Sequence, residues 1–211
     1  MMPAHEISRI GARAKEASRL MAKASPGTKE RFLHGLAALL EQEREHLLAA
    51  NARDLEKADA RGMDAPRRDR LRLTPGIIAE MAHACRHVAS MDDPVGVTES
   101  QWQRPNGLLV GRMRVPLGVV AMIYEARPNV TIDAAILCLK AGNAVILRGG
   151  SEALQSNIAL AGLLSRALEE AQLPASAAQL VTTTDHAAVT ELCKLDRFID
   201  VMIPRGGEGL V

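Results

Sequence analysis

The chain has 211 residues and a net charge of +1, and its composition is 47% hydrophobic but only 2% aromatic. The near-zero charge and the scarcity of aromatic stacking platforms argue against a nucleic-acid partner. No apolar run approaches the roughly 20 residues that span a bilayer, and the N-terminus mixes charges of both signs, so we expect no signal peptide and no membrane partner. Three cysteines without a CxxC pair are typical of a reduced, cytoplasmic protein.

The first part of the chain has a helical pattern. Apolar residues recur at helical spacing over residues 5–60. The stretch 25–28 breaks this pattern, and we expect Thr28 to cap the helix that follows it. Thr74-Pro75 is a favourable N-cap and N1 pair for a further helix. We therefore assign residues 1–98 to an N-terminal helical part of a larger domain.

Residues 99–114 predict a β-hairpin. Asn106-Gly107 lies between two extended runs, which is the strongest short-range hairpin signal. A two-stranded hairpin that is isolated from other strands is marginal in water. We therefore expect this hairpin to pack against something else, such as another subunit.

Apolar strands alternate with helices over residues 115–211. The predicted strands are 118–123, 144–147, 179–181 and 199–203, and the predicted helices are 131–141, 152–172 and 186–194. Helical crossovers between apolar strands favour a parallel sheet, so the predicted fold class is α/β. Since the alternation predicts another helix where the chain stops, we expect this α/β part to be incomplete.

The second of these strands ends in residues that suit the adenosine end of a phosphorylated cofactor. A guanidinium at the carboxyl end of a parallel strand can pair with a ribose phosphate through two hydrogen bonds. Two glycines and a helix start follow it, and the alternative is a surface arginine before a plain glycine turn. The candidate cofactor-binding residues are Arg148, Gly149, Gly150, Ser151 and Glu152.

The last predicted strand ends in a similar way. Glycines that precede a helix leave backbone N–H groups free to hold a pyrophosphate. The alternative is again a glycine turn. The candidate residues at this position are Pro204, Arg205, Gly206 and Gly207.

Asn129 is the candidate for a catalytic role. It follows Tyr124 and Arg127 directly after the first parallel strand, and its amide could donate to a developing oxyanion. The alternative is that Asn129 caps the helix that begins near Thr131. Both interpretations stay open at this point.

Other reactive side chains give weaker patterns. Cys85, Cys138 and Cys193 lie in apolar helical stretches without an obvious base, so we do not expect a nucleophile among them. His83 and His87 have the i,i+4 spacing of metal ligands, but no third ligand is apparent and we predict no metal. A cluster of arginines is interrupted by an aspartate and is expected to form a solvated face or to bind an acidic neighbour: Arg67, Arg68, Arg70 and Arg72.

Two strings carry a resemblance to a known family. Residues 115–153 read VPLGVVAMIYEARPNVTIDAAILCLKAGNAVILRGGSEA, and residues 199–211 read IDVMIPRGGEGLV. They resemble the aldehyde dehydrogenase superfamily and, within it, the gamma-glutamyl phosphate reductases. The resemblance implies a Rossmann-type parallel sheet with N-terminal helices and a protruding oligomerisation hairpin at 99–114. It also implies NADPH-dependent reduction of L-glutamyl 5-phosphate to glutamate 5-semialdehyde with release of phosphate, a step of proline biosynthesis.

The resemblance also implies roles for residues. Arg148 and the segment 149–152 would hold the adenosine ribose and its 2′-phosphate, Gly206 and Gly207 would lie beside the pyrophosphate, and Asn129 would polarise the carbonyl. Implied partners are a second copy of the chain and glutamate 5-kinase. The family places its catalytic cysteine in a separate domain after the turn at 204–207, and we expect that domain to be absent here. The alternative is a non-catalytic nucleotide-binding or interaction module on the same fold.

Overall fold

The computed structural model describes residues 4–185 and 187–206. Its first part is helical, as expected, and it contains five helices: α1 (Ala4–Met21), α2 (Pro26–Gln42), α3 (Arg44–Ala60), α4 (Ala65–Leu71) and α5 (Pro75–Ser90). None of the described helices is long and apolar enough to cross a membrane.

Polar caps begin three of these helices. Ser25, and not Thr28 as predicted, caps α2, because its side chain accepts a hydrogen bond from the backbone N–H of Thr28. Asp64 caps α4 in the same way. Thr74 caps α5 with Pro75 in its first turn, which confirms that prediction.

The predicted hairpin is present and is exposed along nearly its whole length. Strand β1 (Thr98–Gln103) pairs antiparallel with β2 (Leu109–Met113). Gly107 has a φ of +86°, which the turn requires and which glycine adopts without strain. Apart from one partly buried position, the residues of both strands are exposed.

The rest of the described chain is a parallel α/β layer. Its elements are β3 (Val119–Tyr124), α6 (Asn129–Lys140), β4 (Ala144–Arg148), α7 (Leu154–Glu170), β5 (Ala178–Leu180), α8 (Ala187–Cys193) and β6 (Val201–Arg205). The strand order is β5-β4-β3-β6, and every neighbouring pair is parallel. The predicted α/β fold class is therefore confirmed.

The N-terminal helices and the sheet share one hydrophobic core. The apolar face of α1 packs against β3, β4, β5 and α8, and it belongs to the same buried core as side chains of α2 and α5; it includes Ile7, Ala14 and Met21. A polar tie at the edge of this core links α1 to the sheet: Lys15 Nζ donates to both carboxylate oxygens of Asp200 at 2.7 Å. Asp200 in turn accepts from the backbone N–H of Val119 at 2.8 Å.

Candidate functional site

The carboxyl ends of β3 and β6 mark the reversal point of the sheet. The chain moves from β3 to β4 and β5 on one side, and then returns to place β6 on the other side of β3. In open α/β sheets the ligand crevice lies at such a switch point, outside the carboxyl ends of the strands. Tyr124 and Arg205 are register partners at this position.

A cleft of about 800 Å³ opens at this switch point. Three parts of the chain form its walls: helix α4, the loop after β3, and the carboxyl end of β6 with the turn that follows. The side chains and backbone lining it belong to Arg67, Arg70, Tyr124, Glu125, Ala126, Arg127, Val130, Glu152, Arg205 and Gly206. Its volume lies in the range of small-molecule sites.

A smaller cleft of about 280 Å³ lies next along the edge of the sheet. It is lined by residues of α3, of the turn after β4 and of the segment after β5, among them Lys57, Arg61, Ser151, Glu152 and Thr184. Glu152 lines both clefts. The two clefts therefore meet at this residue, on the side of the sheet where the strands end.

Arg148 is almost completely buried, unlike a side chain at an open ligand site. It ends β4 as predicted, but only 6% of its surface is exposed, and it is not among the residues that line either cleft. Its Nε is buried and has no hydrogen-bond partner among the described residues. Leaving a buried donor unpaired costs about 1–3 kcal/mol of stability. A hydrogen-bond acceptor placed beside this guanidinium would therefore be stabilising.

Packing, and not ligand approach, explains Gly149. A Cβ on Gly149 would lie 2.2 Å from Asn157 Nδ2 and 3.0 Å from the Tyr124 ring. A Cβ on Gly150 would meet only the flexible carboxylate of Glu152, at 2.7 Å. Of the two alternatives left open by the sequence, the turn is the one that the geometry of Gly149 supports.

A buried hydrogen-bond chain holds the neighbours of Gly149. Thr131 Oγ1 donates to Asn157 Oδ1 at 2.9 Å. The Tyr124 hydroxyl lies 2.6 Å from Thr131 Oγ1, and since that oxygen has already used its hydrogen, Tyr124 is the donor of this bond. Burial raises the pKa of Tyr124 above its ordinary value, against the opposing effect of the Thr131 contact. This tyrosine is a structural group of the cleft wall.

A second buried network ties α3 to the start of α7. Asp54 accepts hydrogen bonds from the backbone N–H groups of Gln155 and Ser156, at 3.0 and 2.8 Å, and from Ser156 Oγ at 2.7 Å. Asn51 donates to Ser156 Oγ at 3.0 Å and to Leu71 O at 2.9 Å. Sequence reasoning did not predict this network, because no local pattern distinguishes these residues from a solvated polar face.

Asn129 does not cap its helix. Helix α6 begins at Asn129 itself, and its amide nitrogen donates to Asp133 Oδ2 at 3.1 Å. The capping alternative is therefore wrong. Asn129 is half-buried and is not among the residues that line the large cleft. Burial raises the pKa of Asp133, which the Asn129 hydrogen bond and the charge of Arg205 oppose.

The arginine cluster is divided between two environments. Arg67 and Arg70 line the large cleft. Arg68 instead donates to both oxygens of Asp59, at 2.5 and 3.0 Å, and matches the predicted acidic neighbour. The four arginines therefore do not share one environment, since the turn of α4 sends successive side chains in different directions.

The cysteines lie away from both clefts. Cys85 and Cys138 are in α5 and α6, and burial raises their pKa values to about 12 and about 11. Cys193 is exposed and is the last residue of α8. None of the three lines the large or the small cleft.

The candidate residues at the end of β6 lie at the large cleft in part. Arg205 and Gly206 line it, whereas Pro204 does not. Gly207 lies outside the described residues. Ser151 lines the small cleft together with Glu152, and Ser151–Ala153 form a single 3-10 turn before α7.

Known proteins match this chain along its whole length. The gamma-glutamyl phosphate reductase of Desulfovibrio desulfuricans is 67% identical over 211 residues, which are 100% of this chain and 50% of that protein. The crystal structure of the gamma-glutamyl phosphate reductase of Thermotoga maritima has a TM-score of 0.95 and 40% identity, covering 97% of this chain and 50% of that one. The crystal structure of the gamma-glutamyl phosphate reductase of Saccharomyces cerevisiae has a TM-score of 0.88 and 27% identity, covering 100% of this chain and 53% of that one. The chain spans about half the length of these relatives.

The family follows from this similarity and from the fold. A model of the aldehyde dehydrogenase family matches residues 2–203. The parallel sheet and the N-terminal helices agree with the structures above. The chain therefore belongs to the aldehyde dehydrogenase family, which implies a nicotinamide cofactor, and within that family it is similar to the gamma-glutamyl phosphate reductases.

Proposed function

We propose that this chain carries the cofactor-binding portion of an NADPH-dependent reductase that converts L-glutamyl 5-phosphate to L-glutamate 5-semialdehyde and phosphate. This is a reaction of proline biosynthesis in the cytoplasm. The observation that carries the proposal is the identity of 67% to a gamma-glutamyl phosphate reductase over all 211 residues. Two neighbouring clefts at the carboxyl edge of the sheet, both lined by Glu152, support it.

The residues at this edge fit a nicotinamide dinucleotide. The carboxylate of Glu152 lines both clefts and can accept hydrogen bonds from ribose hydroxyls. Arg205 and the backbone of Gly206 line the large cleft, where they can meet a pyrophosphate. The buried, unpartnered Nε of Arg148 gains from an anionic acceptor near the turn at 149–152. When bound, NADPH would supply the hydride.

The chain's other residues shape the site and leave the nucleophile unassigned. Thiolates attack acyl phosphates, but the raised pKa values of Cys85 and Cys138, about 12 and about 11, keep both thiols protonated near neutral pH. We assign the nucleophile to no cysteine of this chain. Asn129 stays a candidate for polarising the carbonyl, on the resemblance alone, because its amide already donates to Asp133.

The hairpin 99–114 is proposed to join two copies of the chain. Its strands are almost fully exposed, yet they carry large apolar side chains: Trp102 is 40% exposed, Leu109 is 60% exposed and Met113 is 59% exposed. Exposed apolar surface of this kind favours a protein contact. Glutamate 5-kinase is the further partner that the proposed pathway suggests.

An NADPH titration combined with a turnover assay tests the proposed function. We expect the purified protein to bind NADPH in preference to NADH, and to show no reductase turnover with glutamyl phosphate. Absence of NADPH binding would overturn the cofactor assignment. Measurable turnover would contradict the statement that no cysteine here is the nucleophile.

A non-catalytic nucleotide-binding module is the second candidate function. The position of all three cysteines outside both clefts favours it. The two candidates differ when a nucleophilic cysteine is supplied from another polypeptide. Turnover that appears on adding a cysteine-bearing polypeptide from a relative supports the reductase, and its absence despite NADPH binding supports the module.

A further inference from the structure

The large cleft carries more positive charge than the proposed cofactor contacts at the turn after β4 account for. Four arginines and two glutamates line it, which leaves a surplus of two positive charges. The whole chain of 211 residues carries a net charge of only +1. Positive charge is therefore concentrated where the cleft opens, and such concentration attracts anions.

Two of these arginines come from helix α4, which the proposed function does not otherwise use. Arg67 and Arg70 are one helical turn apart, and both face the cleft. Arg70 makes no hydrogen bond or ion pair with any residue in the described part of the chain. Arg67 pairs with Asp64 at 3.3 Å, but both side chains are largely exposed, and pairs of this kind are weak.

The rest of the molecule holds α4 against the cleft. Asp64 caps its first turn, with Oδ1 accepting from the backbone N–H of Arg67 at 2.8 Å. At its other end, Asn51 donates to Leu71 O and accepts from the backbone N–H of Leu73 at 2.8 Å. Leu71 is fully buried. The backbone that carries Arg67 and Arg70 is thus held beside the cleft before a ligand binds, so that binding has to order only the two side chains.

We propose that Arg67 and Arg70 form a phosphate-binding subsite at the wall of the large cleft. The inference rests on the proposed function for the source of the phosphate, which is the acyl phosphate of the substrate or the diphosphate of the cofactor. Guanidinium groups match the oxygens of phosphate through paired hydrogen bonds, whereas a lysine acts as a point charge. Arg205, the loop after β3 and Glu152 of the proposed cofactor turn line the same cleft as the subsite.

Calorimetric titration of the purified protein with inorganic phosphate, at constant ionic strength, tests the subsite. We expect R67A and R70A each to weaken phosphate binding about 10-fold, and the double variant to weaken it further. R70K should recover only part of the lost affinity, because lysine keeps the positive charge but lacks the planar guanidinium that makes paired hydrogen bonds. R72A is the matched control, since Arg72 is exposed at the end of the same helix and lines neither cleft.

A parallel titration with NADPH distinguishes the two sources. Weakened phosphate binding with unchanged NADPH binding supports the subsite and assigns it to the substrate, whereas weakened NADPH binding supports the subsite and assigns it to the cofactor diphosphate. Unchanged binding of both ligands in the double variant, or an equal loss in R72A, overturns the proposal. If the parent protein binds phosphate but not NADPH, the proposed function fails and the subsite stands.

Discussion

Asp54 caps a helix that begins a hundred residues later in the chain. Its carboxylate accepts from the backbone N–H and the hydroxyl of Ser156, at 2.8 and 2.7 Å, across a sequence separation of 102 residues. Helix α7 has no local side-chain cap of its own. The long-range cap therefore satisfies N–H groups that would otherwise be unpaired at the start of α7, directly after the proposed cofactor turn.

We predict that Asp54→Asn destabilises the protein by about 3 kcal/mol. Asp54 is 2% exposed, and an amide places a donor against donors in a buried site. Urea unfolding followed by circular dichroism measures the change. Glu56→Gln, on the exposed face of the same helix, should change stability by less than about 0.5 kcal/mol. Equal effects of the two substitutions would contradict the capping role.

We predict that Gly149→Ala destabilises the protein by about 2–3 kcal/mol. The new methyl would lie 2.2 Å from Asn157 Nδ2 and would displace the acceptor of Thr131. Gly162→Ala is the control, because nothing lies within 4 Å of its added Cβ on the exposed side of α7. That variant should be more stable than the parent by about 0.5–1 kcal/mol. Thermal unfolding should show a lower melting temperature than the parent for Gly149→Ala and a higher one for Gly162→Ala.

We predict that Arg148→Ala weakens NADPH binding about 10-fold and leaves NADH binding nearly unchanged. The reason is that only NADPH carries the 2′-phosphate proposed to satisfy the buried Nε. Fluorescence titration with both nucleotides measures the ratio. Arg53→Ala, which removes an exposed arginine of α3 that is outside the turn at 149–152, should leave that ratio unchanged. Equal affinities for the two nucleotides in parent and variant would contradict a role for Arg148 in binding the 2′-phosphate.

The cysteines should differ in their reaction with iodoacetamide. Burial raises the pKa of Cys138 to about 11 and that of Cys85 to about 12, so few thiolates form at these positions below pH 9. Cys193 is exposed and should be labelled first. Peptide mass spectrometry after labelling at pH 8 measures the order. Faster labelling of Cys85 or Cys138 in the folded protein would contradict the expectation that burial keeps these thiols protonated and unreactive.

The tie between Lys15 and Asp200 should make stability depend on pH in the acid range. Partial burial raises the pKa of Asp200, but the hydrogen bonds from Lys15 and Val119 and the charge of Lys15 outweigh it, so the pKa lies below its ordinary value. Because the folded-state pKa is lowered, the stabilisation is present above the unfolded pKa of about 3.9 and is lost as pH falls through the folded pKa.

Asp200→Asn should therefore cost about 1 kcal/mol at pH 7, a value reduced for the solvent exposure of the pair. At pH 2 the variant and the parent should differ by less, because the parent carboxylate is then protonated. Guanidinium unfolding at both pH values measures this difference. The control is Lys15→Met, made in the parent and in the Asp200→Asn protein. Its effect on the free energy of unfolding should nearly vanish in the Asp200→Asn protein, because the ion pair is already absent there.

Local patterns predicted the elements of the fold well. The strands at 118–123 and 144–147 were expected within one residue of β3 and β4, because their apolar runs and flanking glycines act over short distances. The N-cap of α5 was predicted for the same reason, whereas that of α2 was assigned to the wrong member of a Ser/Thr pair. Boundaries of this kind depend on single hydrogen bonds, and several nearby side chains can make them.

The candidate site was predicted only in part, because its walls come from distant parts of the chain. Glu152, Arg205 and Gly206 do line clefts at the sheet edge. Arg67 and Arg70 were expected to be solvated or to bind an acidic neighbour, since nothing within α4 shows that it faces the loop after β3. Burial of Arg148 likewise depends on neighbours that its own strand does not reveal.

By itself, the sequence determined the family and the alternation of strands and helices, because residues 115–153 carry both in one contiguous string. Only the tertiary structure decided what the polar residues do. It divided one arginine cluster between an ion pair and a cleft, and it made Asp54 the cap of a remote helix. The physical reason is that hydrogen bonds and burial are set by the groups that folding brings together, while periodicity acts along the chain.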